Sequence, residues 1–508
     1  MKKYYQKEND FTYINNKFVE ENSFIGGKVN KIKLPVYNEI KDKLPKPLWN
    51  NNKSVIDCYY KAWEIAFSNI HNPEDGSGFV SPFIDSAFND NLFMWDSCFI
   101  TMFGKYASEF FDFQGTLNNF YALQHEDGYI AREVTENDGS AGFTRFDGSS
   151  TGPNILPWCE YDYYKLTGDK ERVEKIFPVL LAYHQWFRRY RTWRDGSYWS
   201  SGYGCGMDNQ PRLKNSESNA ERFLSNGHMI WLDTCLQQLI SCNMLIKMAE
   251  ICNRCDDVID IVAEKEKLGN LINEKLWDDE TKFYYDLWED DTLNMVKSVG
   301  AYWALSADIV PEDKLDDFVT HLENDKEFNR PTRVPSLSAD DKYYDEGGSY
   351  WCGSIWAPTN YMVLKGLSGN GYHDLAFDIA ENCVDSVVEV FEKTGTIWEN
   401  YAPESKERGN HSKPDFVGWS GLFPISILIE YVFGIKVNAE KKEIEWHINL
   451  TDEFGVENLP LGLLGKVSLL CKSRKGKEEK PEIIVKSDID FTLKIFWSKN
   501  SEIIEIKA

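Results

Sequence analysis

The stretch WCGSIWAPTNYMVLKGLSGNGYHDLAFDIAENCVDSVVEVFEK, residues 351–393, decides the fold. Its apolar residues recur every three or four positions in two runs, near 351–368 and 372–393, and this period predicts two α-helices. A short Gly-containing connector separates the two runs. Two long helices with such a short connection between them are expected to pack as an antiparallel pair.

The same helical period continues on both sides of this stretch. It occurs near 53–69, 95–110, 113–124, 155–167, 170–191, 227–254, 258–276, 296–308, 311–322 and 415–433. No alternation of strand and helix is present, which argues against a parallel α/β sheet. Twelve segments predict six helix pairs closed in a ring, with the long connectors meeting at one end as a site. An open solenoid is the structural alternative, but no repeat of fixed period supports it.

The character of the sequence changes at both ends of this helical region. Residues 1–50 are polar and punctuated by proline, and we interpret them as an N-terminal arm. Residues 51–434 form the predicted helical domain. After residue 434, segments such as KEIEWHINL and FTLKIFW alternate or are rich in β-branched residues. Residues 435–508 are therefore predicted to form a small antiparallel β domain.

The balance of charges limits the partners. The chain has 508 residues, with 81 acidic against 56 basic side chains and a net charge of −25. Such a charge repels phosphate backbones and anionic lipids, so we expect neither nucleic acid nor a membrane surface as partner. No apolar run is long enough to span a membrane, and the first residues lack the apolar core of a secretory signal. A neutral or small substrate suits this charge better, and the oligomeric state stays open.

The cysteines indicate a cellular location. Eleven of them are scattered through the chain, mostly within helical stretches. An odd, dispersed set is typical of reduced thiols in a cytoplasmic protein. Cys252 and Cys255 form one CxxC motif, but no second pair stands at zinc-binding spacing. Core packing explains these two cysteines better than metal binding does.

Four connectors carry more Asp, Glu, Trp and Gly than ordinary loops. In NDNLFMWDSCF, residues 89–99, Trp95 and Asp96 form either a sugar-binding wall or a helix cap. In SSGYGCGMDNQPR, residues 200–212, three glycines let the backbone approach a ligand closely. Asp208 follows them, and a carboxyl in such a tight aromatic loop can be desolvated, which would raise its pKa as a general acid requires. The alternative is a turn in which Asp208 pairs with Arg212. This Gly-rich segment precedes no obvious helix.

The other two connectors lie further along the chain. In residues 340–367, Tyr350, Trp351 and Trp356 suit a sugar subsite, and Gly353 allows close packing. In residues 395–409, Glu399 lies between Trp398 and Asn400, so it is either a catalytic group or an ion-paired cap. The chain also has 17 Trp, 26 Tyr and 30 Phe, and although most belong to the core, the excess favours a carbohydrate groove.

Asp208 and Glu399 form the pair that glycoside hydrolysis requires. One carboxylic acid protonates the leaving oxygen, and one carboxylate activates water. Inversion needs the two groups about 6.5–9.5 Å apart, with room for that water. Dispersed histidines and the absence of a GxSxG elbow argue against a Ser–His–Asp mechanism. GxGxxG and Walker loops are absent too.

The ordered motifs WDSCF, GMDNQPR, GGSYWCGSIWAPTNY, WENYAPES and GWSGLFPISIL resemble glycoside hydrolase family 63. This family includes α-glucosidases and hydrolases of mannosylglycerate and glucosylglycerate. The resemblance covers roughly residues 50–434 and implies a mainly α-helical (α/α)₆ barrel, an inverting mechanism and no cofactor or metal. It makes Asp208 the general acid and Glu399 the general base. It places the following residues at the substrate: Trp95, Asp96, Asn209, Arg212, Tyr350, Trp351, Gly353, Trp356 and Trp419.

Two positions depart from the family pattern, Gln210 and Cys352, and both are expected near the sugar pocket. The activity class is therefore better indicated than the sugar. Our working hypothesis is an inverting exo-hydrolase of a short α-glucoside or related glycoside. The alternatives are an epimerase, for which only His411 lies near a connector, a phosphorylase with Arg212 as an isolated phosphate ligand, and a non-catalytic sugar-binding protein.

Overall fold

A computed structural model of the protein describes residues 14–86, 89–213 and 219–508, which form a mainly helical structure with a β region near the C-terminus. In chain order the helices are α1 (Tyr37–Ile40), α2 (Lys53–Ser68), α3 (Met94–Gly104), α4 (Gly115–Ala122), α5 (Leu156–Thr167), α6 (Lys170–Tyr190), α7 (Gly202–Cys205), α8 (Asn219–Leu224), α9 (Leu232–Cys252), α10 (Ile259–Lys275), α11 (Trp303–Ala307), α12 (Glu312–Thr320), α13 (Ala357–Gly369), α14 (His373–Thr394) and the π-helix α15 (Phe423–Val432). Short 3₁₀ turns extend several of them, as at Val299–Tyr302 before α11 and Ser420–Leu422 before α15.

The strands are short in the helical region and longer after it. In chain order they are β1 (Lys46–Leu48), β2 (Ile70–His71), β3 (Phe83–Ile84), β4 (Asn91–Phe93), β5 (Glu133–Thr135), β6 (Met229–Ile230), β7 (Trp277–Asp278), β8 (Phe283–Tyr284), β9 (Asp286–Trp288), β10 (Leu293–Asn294), β11 (Ile435–Asn438), β12 (Glu443–His447), β13 (Phe454–Leu461), β14 (Gly465–Cys471), β15 (Ile483–Ser487), β16 (Phe491–Trp497) and β17 (Asn500–Ile506).

Each of the twelve predicted helical segments contains a helix of the structure. Helix α9 is buried along nearly its whole length because it packs against α5, α6, α10 and α11. Helices α3, α5, α9, α11, α13 and α15 contact one another in this order, and α15 contacts α3 again. Helices α4, α6, α10 and α14 pack against members of this set, and α2 packs against α14 and α15. The six helices that contact one another in order bury more of their surface than the helices that cover them. Helix α10, a covering helix, has only a few buried residues.

The C-terminal strands form two four-stranded sheets, in the orders β1-β13-β14-β15 and β11-β12-β16-β17. All pairs are antiparallel except β12 with β16, which are parallel, so the prediction of an antiparallel β region is wrong for this pair. The chain leaves β12, builds three strands of the other sheet and returns as β16, and a crossover of this kind allows parallel pairing. Trp446, Phe433 and Phe454 pack together where this region meets the helices.

The segment predicted as an N-terminal arm lies against the rest of the molecule. Phe18 and Phe24 are buried, and the ring of Phe24 lies 5.4 Å from that of Tyr121. Strand β1 pairs with β13 and so joins a C-terminal sheet. The first thirteen residues of the proposed arm lie outside the described residues.

All eleven cysteines are free thiols. Nine are buried and Cys252 is half-buried, but Cys255 is exposed, so core packing is wrong for Cys255. Asn253 ends α9 in a left-handed conformation, and Cys255 then begins a 3₁₀ turn at the surface. Among the described helices, none combines the length and the apolar character that a membrane crossing requires.

Candidate active site

A cavity lies at the N-terminal ends of α3, α5, α13 and α15. Trp95 and Asp96 stand in the first turn of α3, and Trp351 and Trp419 precede α13 and α15. The residues that line the cavity are Phe93, Trp95, Asp96, Arg132, Pro153, Tyr203, Gly206, Asp208, Tyr350, Trp351, Glu399 and Trp419. Aromatic rings and carboxyl groups from distant parts of the sequence therefore meet in one place.

Helix α3 positions the first wall of the cavity. Its first amide, Met94 N–H, donates to the carbonyl of Arg132 at 2.9 Å, which fixes the start of the helix beside strand β5. Asp96 is buried, and burial raises the pKa of its carboxyl well above the usual value, with Glu399 and Asp208 adding to the rise. Three acidic groups thus share this cavity, and they interact electrostatically.

Asp208 reaches the cavity through a tight turn. The preceding helix α7 is capped by Ser201, whose Oγ accepts from the Gly204 N–H at 3.1 Å. The sequence therefore misses a helix in this Gly-rich segment, because four residues are too few to show a helical period. Gly206 then has φ +79°, and a Cβ there would lie 3.0 Å from the Trp95 ring. Glycine is required because the backbone turns in a left-handed conformation directly against an aromatic wall.

The carboxyl group of Asp208 has an unusual acidity. Burial raises its pKa to about 6, while the positive charge of Arg132 acts in the opposite direction. Glu133 adds a smaller upward effect. A carboxylic acid with this pKa is partly protonated near neutral pH, which suits proton transfer to a leaving group.

Glu399 is held in place by its backbone. Its N–H donates to the Lys413 carbonyl at 2.9 Å, and its own carbonyl accepts from Trp419 Nε1 at 3.2 Å and Ser420 Oγ at 3.1 Å. Burial raises the pKa of its carboxyl to about 7, Lys413 lowers it, and Asp208 raises it further. These backbone bonds fix the main chain of Glu399, and its side chain lines the cavity.

A stack of tryptophans supports the cavity wall. The Trp351 and Trp356 rings lie parallel, 4.2 Å apart, and Trp419 packs edge-on against Trp356 at 5.5 Å. Trp356 Nε1 donates to the Tyr350 carbonyl at 3.2 Å. Tyr350 and Trp351 thus face the cavity, and Trp356 supports them from behind. An aromatic surface of this kind can pack on the apolar face of a sugar ring.

Four predicted residues do not line the cavity: Asn209, Arg212, Gly353 and Trp356. Arg212 is buried between Asp233 and Asp286, donating to both at 2.6–3.0 Å, and its guanidinium covers the Trp231 ring. Gly353 has φ +126° and lies against the Asp345 carbonyl. These residues support the loops that form the cavity.

The two positions that depart from the family pattern also face away from the cavity. Gln210 donates to the Ser336 carbonyl at 2.7 Å and accepts from Ser298 Oγ at 2.8 Å. Cys352 Sγ donates to the Asn209 carbonyl at 3.3 Å. Both therefore connect the Asp208 loop with its neighbours.

Four residues of the cavity are not indicated by the sequence patterns: Phe93, Arg132, Pro153 and Tyr203. The guanidinium of Arg132 lies 4.9 Å from the Tyr203 ring and 5.7 Å from the Phe93 ring, and it pairs with Glu133. Arg132 immediately precedes a three-residue strand in a connector without tryptophan, and nothing in its local sequence distinguishes it from other basic residues. Tyr203 and Gly206, by contrast, belong to the Gly-rich segment already singled out.

One cluster away from the cavity has groups that can bind a metal. His184, Cys242 and Glu264 bring their ligand atoms within 4.8 Å of one another. However, His184 already bonds Ser241 and Glu264, and Arg188 donates to Glu264 at 3.3 Å. A cationic guanidinium on the carboxylate of this cluster opposes a metal ion, and the cluster serves to join α6, α9 and α10.

Comparisons with known proteins identify the family of the chain. The family model described as the mannosylglycerate hydrolase MGH1-like glycoside hydrolase domain matches residues 89–420. An uncharacterized protein of Borreliella burgdorferi is 23% identical over 405 residues, covering 77% of this chain and 82% of that relative. A probable mannosyl-oligosaccharide glucosidase of Schizosaccharomyces pombe is 26% identical over 280 residues. That alignment covers 49% of this chain but only 33% of the length of the relative.

A solved structure shares the fold. The family GH63 mannosylglycerate hydrolase from Thermus thermophilus, in complex with glucose, superposes with a TM-score of 0.58 at 19% sequence identity. The match covers 72% of this chain and 99% of that structure. The protein is therefore a glycoside hydrolase. It belongs to the family of MGH1-like glycoside hydrolase domains, which is related to glycoside hydrolase family 63.

Proposed function

We propose that the protein is an inverting exo-glycosidase in which Asp208 and Glu399 are the catalytic pair. One observation supports this most strongly: the two carboxyl groups line the same aromatic cavity, and each has a raised pKa. They come from loops 191 positions apart in sequence. Two separate loops can present an acid and a base on opposite sides of a sugar, as inversion requires. The substrate is a short α-glucoside or related glycoside.

The proposed reaction needs a rigid support, and we propose that the helices form an (α/α)₆ barrel. The closed order of contacts through α3, α5, α9, α11, α13 and α15 supports it. The position of the cavity at the N-terminal ends of α3, α5, α13 and α15 supports it as well. We also propose a cytoplasmic location, in keeping with eleven free cysteines.

The catalytic roles follow from the resemblance. Asp208 donates a proton to the leaving oxygen, and Glu399 accepts one from the attacking water. Trp95, Tyr350, Trp351 and Trp419 bind the sugar, and Asp96 accepts hydrogen bonds from its hydroxyl groups. Both carboxyl groups have a raised pKa, so either of them can carry the proton that the acid donates. The two assignments therefore need a direct test.

Hydrolysis of glycosyl fluorides separates the two roles. Fluoride leaves without needing a proton, so loss of the general acid has little effect on this substrate, whereas loss of the base remains severe. We expect Asp208→Asn to hydrolyse the fluoride of the accepted sugar at close to the rate of the unchanged enzyme, and Glu399→Gln to be nearly inactive. Both variants should be inactive on the natural glycoside.

The reverse pattern would exchange the roles of Asp208 and Glu399. Full activity of both variants on the glycoside would refute the proposed pair. Glu392→Gln is a matched control, because Glu392 lies in α14, the helix that leads to Glu399, but its carboxylate bonds Ser54 on the surface. This variant should act on both substrates at the unchanged rate.

A further inference from the structure

A second, larger cavity lies at the other ends of the same helices. Its volume is about 440 Å³, within the range of small-molecule sites. The C-terminal parts of α5, α9, α11, α13 and α15 form its walls, and the start of β11 closes one side. The cavity is thus separate from the proposed catalytic centre and uses none of its residues.

An aromatic layer separates the two cavities. Trp158 lines the second cavity and lies 5.2 Å from Trp303, ring to ring. Trp303 in turn lies 6.3 Å from Trp95, which lines the candidate active site. Phe99 packs against both Trp95 and Trp158. A ligand in the second cavity therefore does not reach Asp208 or Glu399.

The deepest part of the second cavity is electrically balanced. Lys105 Nζ donates to Asp162 at 2.6 Å and to Glu430 at 3.0 Å, and Lys365 Nζ donates to Asp162 at 2.6 Å. The hydroxyl of Tyr361 also donates to Glu430. Two ammonium groups and two carboxylates thus alternate in a buried cluster, and they neutralise each other.

Three further lysines on the wall stand outside this cluster and are only partly compensated by nearby carboxylates, Asp162 for Lys165 and Glu430 and Glu445 for Lys436. Lys165, Lys247 and Lys436 come from α5, α9 and β11, and among the described residues no carboxylate lies within ion-pairing distance of their ammonium groups. Lys247 lies over the Tyr161 ring at 5.4 Å, and Lys436 donates to Ser368 Oγ. Asp308 and Glu445 also line the cavity, but within the described chain neither forms an ion pair with these lysines.

Positive charge is unfavourable at this position in the absence of an anion. Burial lowers the pKa of Lys165, and the neighbouring Lys365 lowers it further, although Asp162 acts in the opposite direction. Burial likewise lowers the pKa of Lys436 to about 8. The carbonyl ends of the helices offset part of this repulsion. An anion bound between the three ammonium groups would neutralise the remaining repulsion among them.

We propose that this second cavity binds a small organic phosphate through Lys165, Lys247 and Lys436. Ammonium groups from three separate elements can surround a phosphate group, with the Ser368 hydroxyl as an additional donor. The aromatic surface of Trp158 and Tyr161 suits the apolar part of the same molecule. The overall charge of −25 makes such a cluster of lysines unusual on this chain.

Isothermal titration calorimetry with inorganic phosphate tests the site in the intact protein. Potassium chloride keeps the ionic strength constant, so that general screening does not imitate binding. We expect saturable binding to the unchanged chain, weakened about tenfold in each of Lys165→Gln and Lys247→Gln. Lys247 is exposed, and Lys165 keeps a solvent-accessible side chain although its ammonium group faces the cavity, so the fold should tolerate both replacements, which thermal denaturation checks. Lys499→Gln, a change at an exposed turn, should leave binding unchanged.

Two further outcomes would overturn the proposal. Absence of binding at millimolar phosphate would show that the lysines only offset the helix ends. Binding that survives in the Lys165→Gln/Lys247→Gln double variant but is lost in Arg132→Gln would place the anion in the candidate active site. The test does not use hydrolase activity, so its failure leaves the proposed function untouched.

Discussion

The side-chain amide of Asn209 holds the backbone of Trp351. Its Oδ1 accepts from the Trp351 N–H at 2.8 Å, and its Nδ2 donates to the Ser349 carbonyl at 3.2 Å. Asn209 directly follows Asp208, and Trp351 lines the cavity. One amide thus fixes the proposed acid relative to the aromatic wall, across 142 positions of sequence.

Replacing this amide should impair both stability and turnover. Asn209→Ala removes two hydrogen bonds, and we expect a loss of about 1–2 kcal/mol in the free energy of unfolding. We expect kcat/KM to fall about tenfold or more, because a carboxyl displaced by a fraction of an ångström transfers protons poorly. Asn209→Asp keeps the acceptor for Trp351 and should lose less stability. An unchanged kcat/KM in Asn209→Ala would contradict the positioning role.

The pH dependence of kcat/KM should be bell-shaped and narrow. The pair titrates with pKa values of about 6 and 7, so the form with a single shared proton is most populated between these two values of pH. Below this window both carboxyls are protonated and no base is present, and above it both are ionised and no acid is present. Activity should therefore be greatest near pH ~6.5 and fall about tenfold per pH unit on either side.

A variant assigns one limb of this profile. Arg132 lowers the pKa of Asp208, so Arg132→Gln should move the limb that belongs to Asp208 to higher pH. Rate measurements on the free enzyme at low substrate concentration report these values. A flat profile across this range would contradict catalysis by the pair.

Glu399 should decrease stability above neutral pH. The pKa of its carboxyl is about 7 in the folded protein against 4.5 ordinarily, so the ionised carboxylate is less favourable in the folded than in the unfolded state. Well below the ordinary pKa there is no effect, because the carboxyl is protonated in both the folded and the unfolded state. The penalty grows between the two pKa values, and it is constant above, on the order of 3 kcal/mol. Glu399→Gln avoids this penalty, so it should unfold at higher temperature at pH ~8 and show no gain at pH ~4.

Calorimetry at the two pH values checks this prediction. Glu266→Gln serves as the control, because Glu266 is exposed on α10 and should change stability little at either pH. A Glu399→Gln variant that is less stable than the unchanged chain at the higher pH would mean that the carboxylate is stabilised by contacts in the folded state.

Arg212 should matter for folding and only indirectly for the substrate. Arg212→Ala leaves Asp233 and Asp286 buried without their cation, and we expect a loss of about 3–5 kcal/mol in the free energy of unfolding. Chemical denaturation measures it, with the exposed Arg189→Ala as the control. A normally stable Arg212→Ala variant whose KM alone increases would instead support direct contact with substrate.

Covering helices such as α6 and α14 could be predicted from the sequence because each buries one face, and burial of one face imposes the helical period. Which residues of distant loops come together in the cavity could not be predicted. Asp208 and Glu399 were found because carboxyls flanked by Gly or Trp are locally unusual, whereas Arg132 enters the cavity only through the pairing of β4 with β5. The same limit applies to the C-terminal sheets. Their strands alternate visibly, but the parallel pairing of β12 with β16 depends on a crossover that no local pattern encodes.

The assignment of Arg212 shows a related limit. Its distance from Asp208 along the chain fits either a partner of the acid or a structural cation. The choice depends on Asp233 and Asp286, which lie 21 and 74 positions away and become neighbours only through folding.

The most direct test of inversion by Asp208 and Glu399 is to follow the anomer that the enzyme releases. The unchanged chain, Asp208→Asn and Glu399→Gln are incubated with a panel of disaccharides and with glucosyl- and mannosylglycerate, without phosphate, and the first product is observed by NMR. The proposed inverting mechanism predicts that the unchanged chain releases the sugar as the inverted anomer and that both variants release none. A product of retained configuration, or release of the sugar by both variants at the unchanged rate, would contradict it.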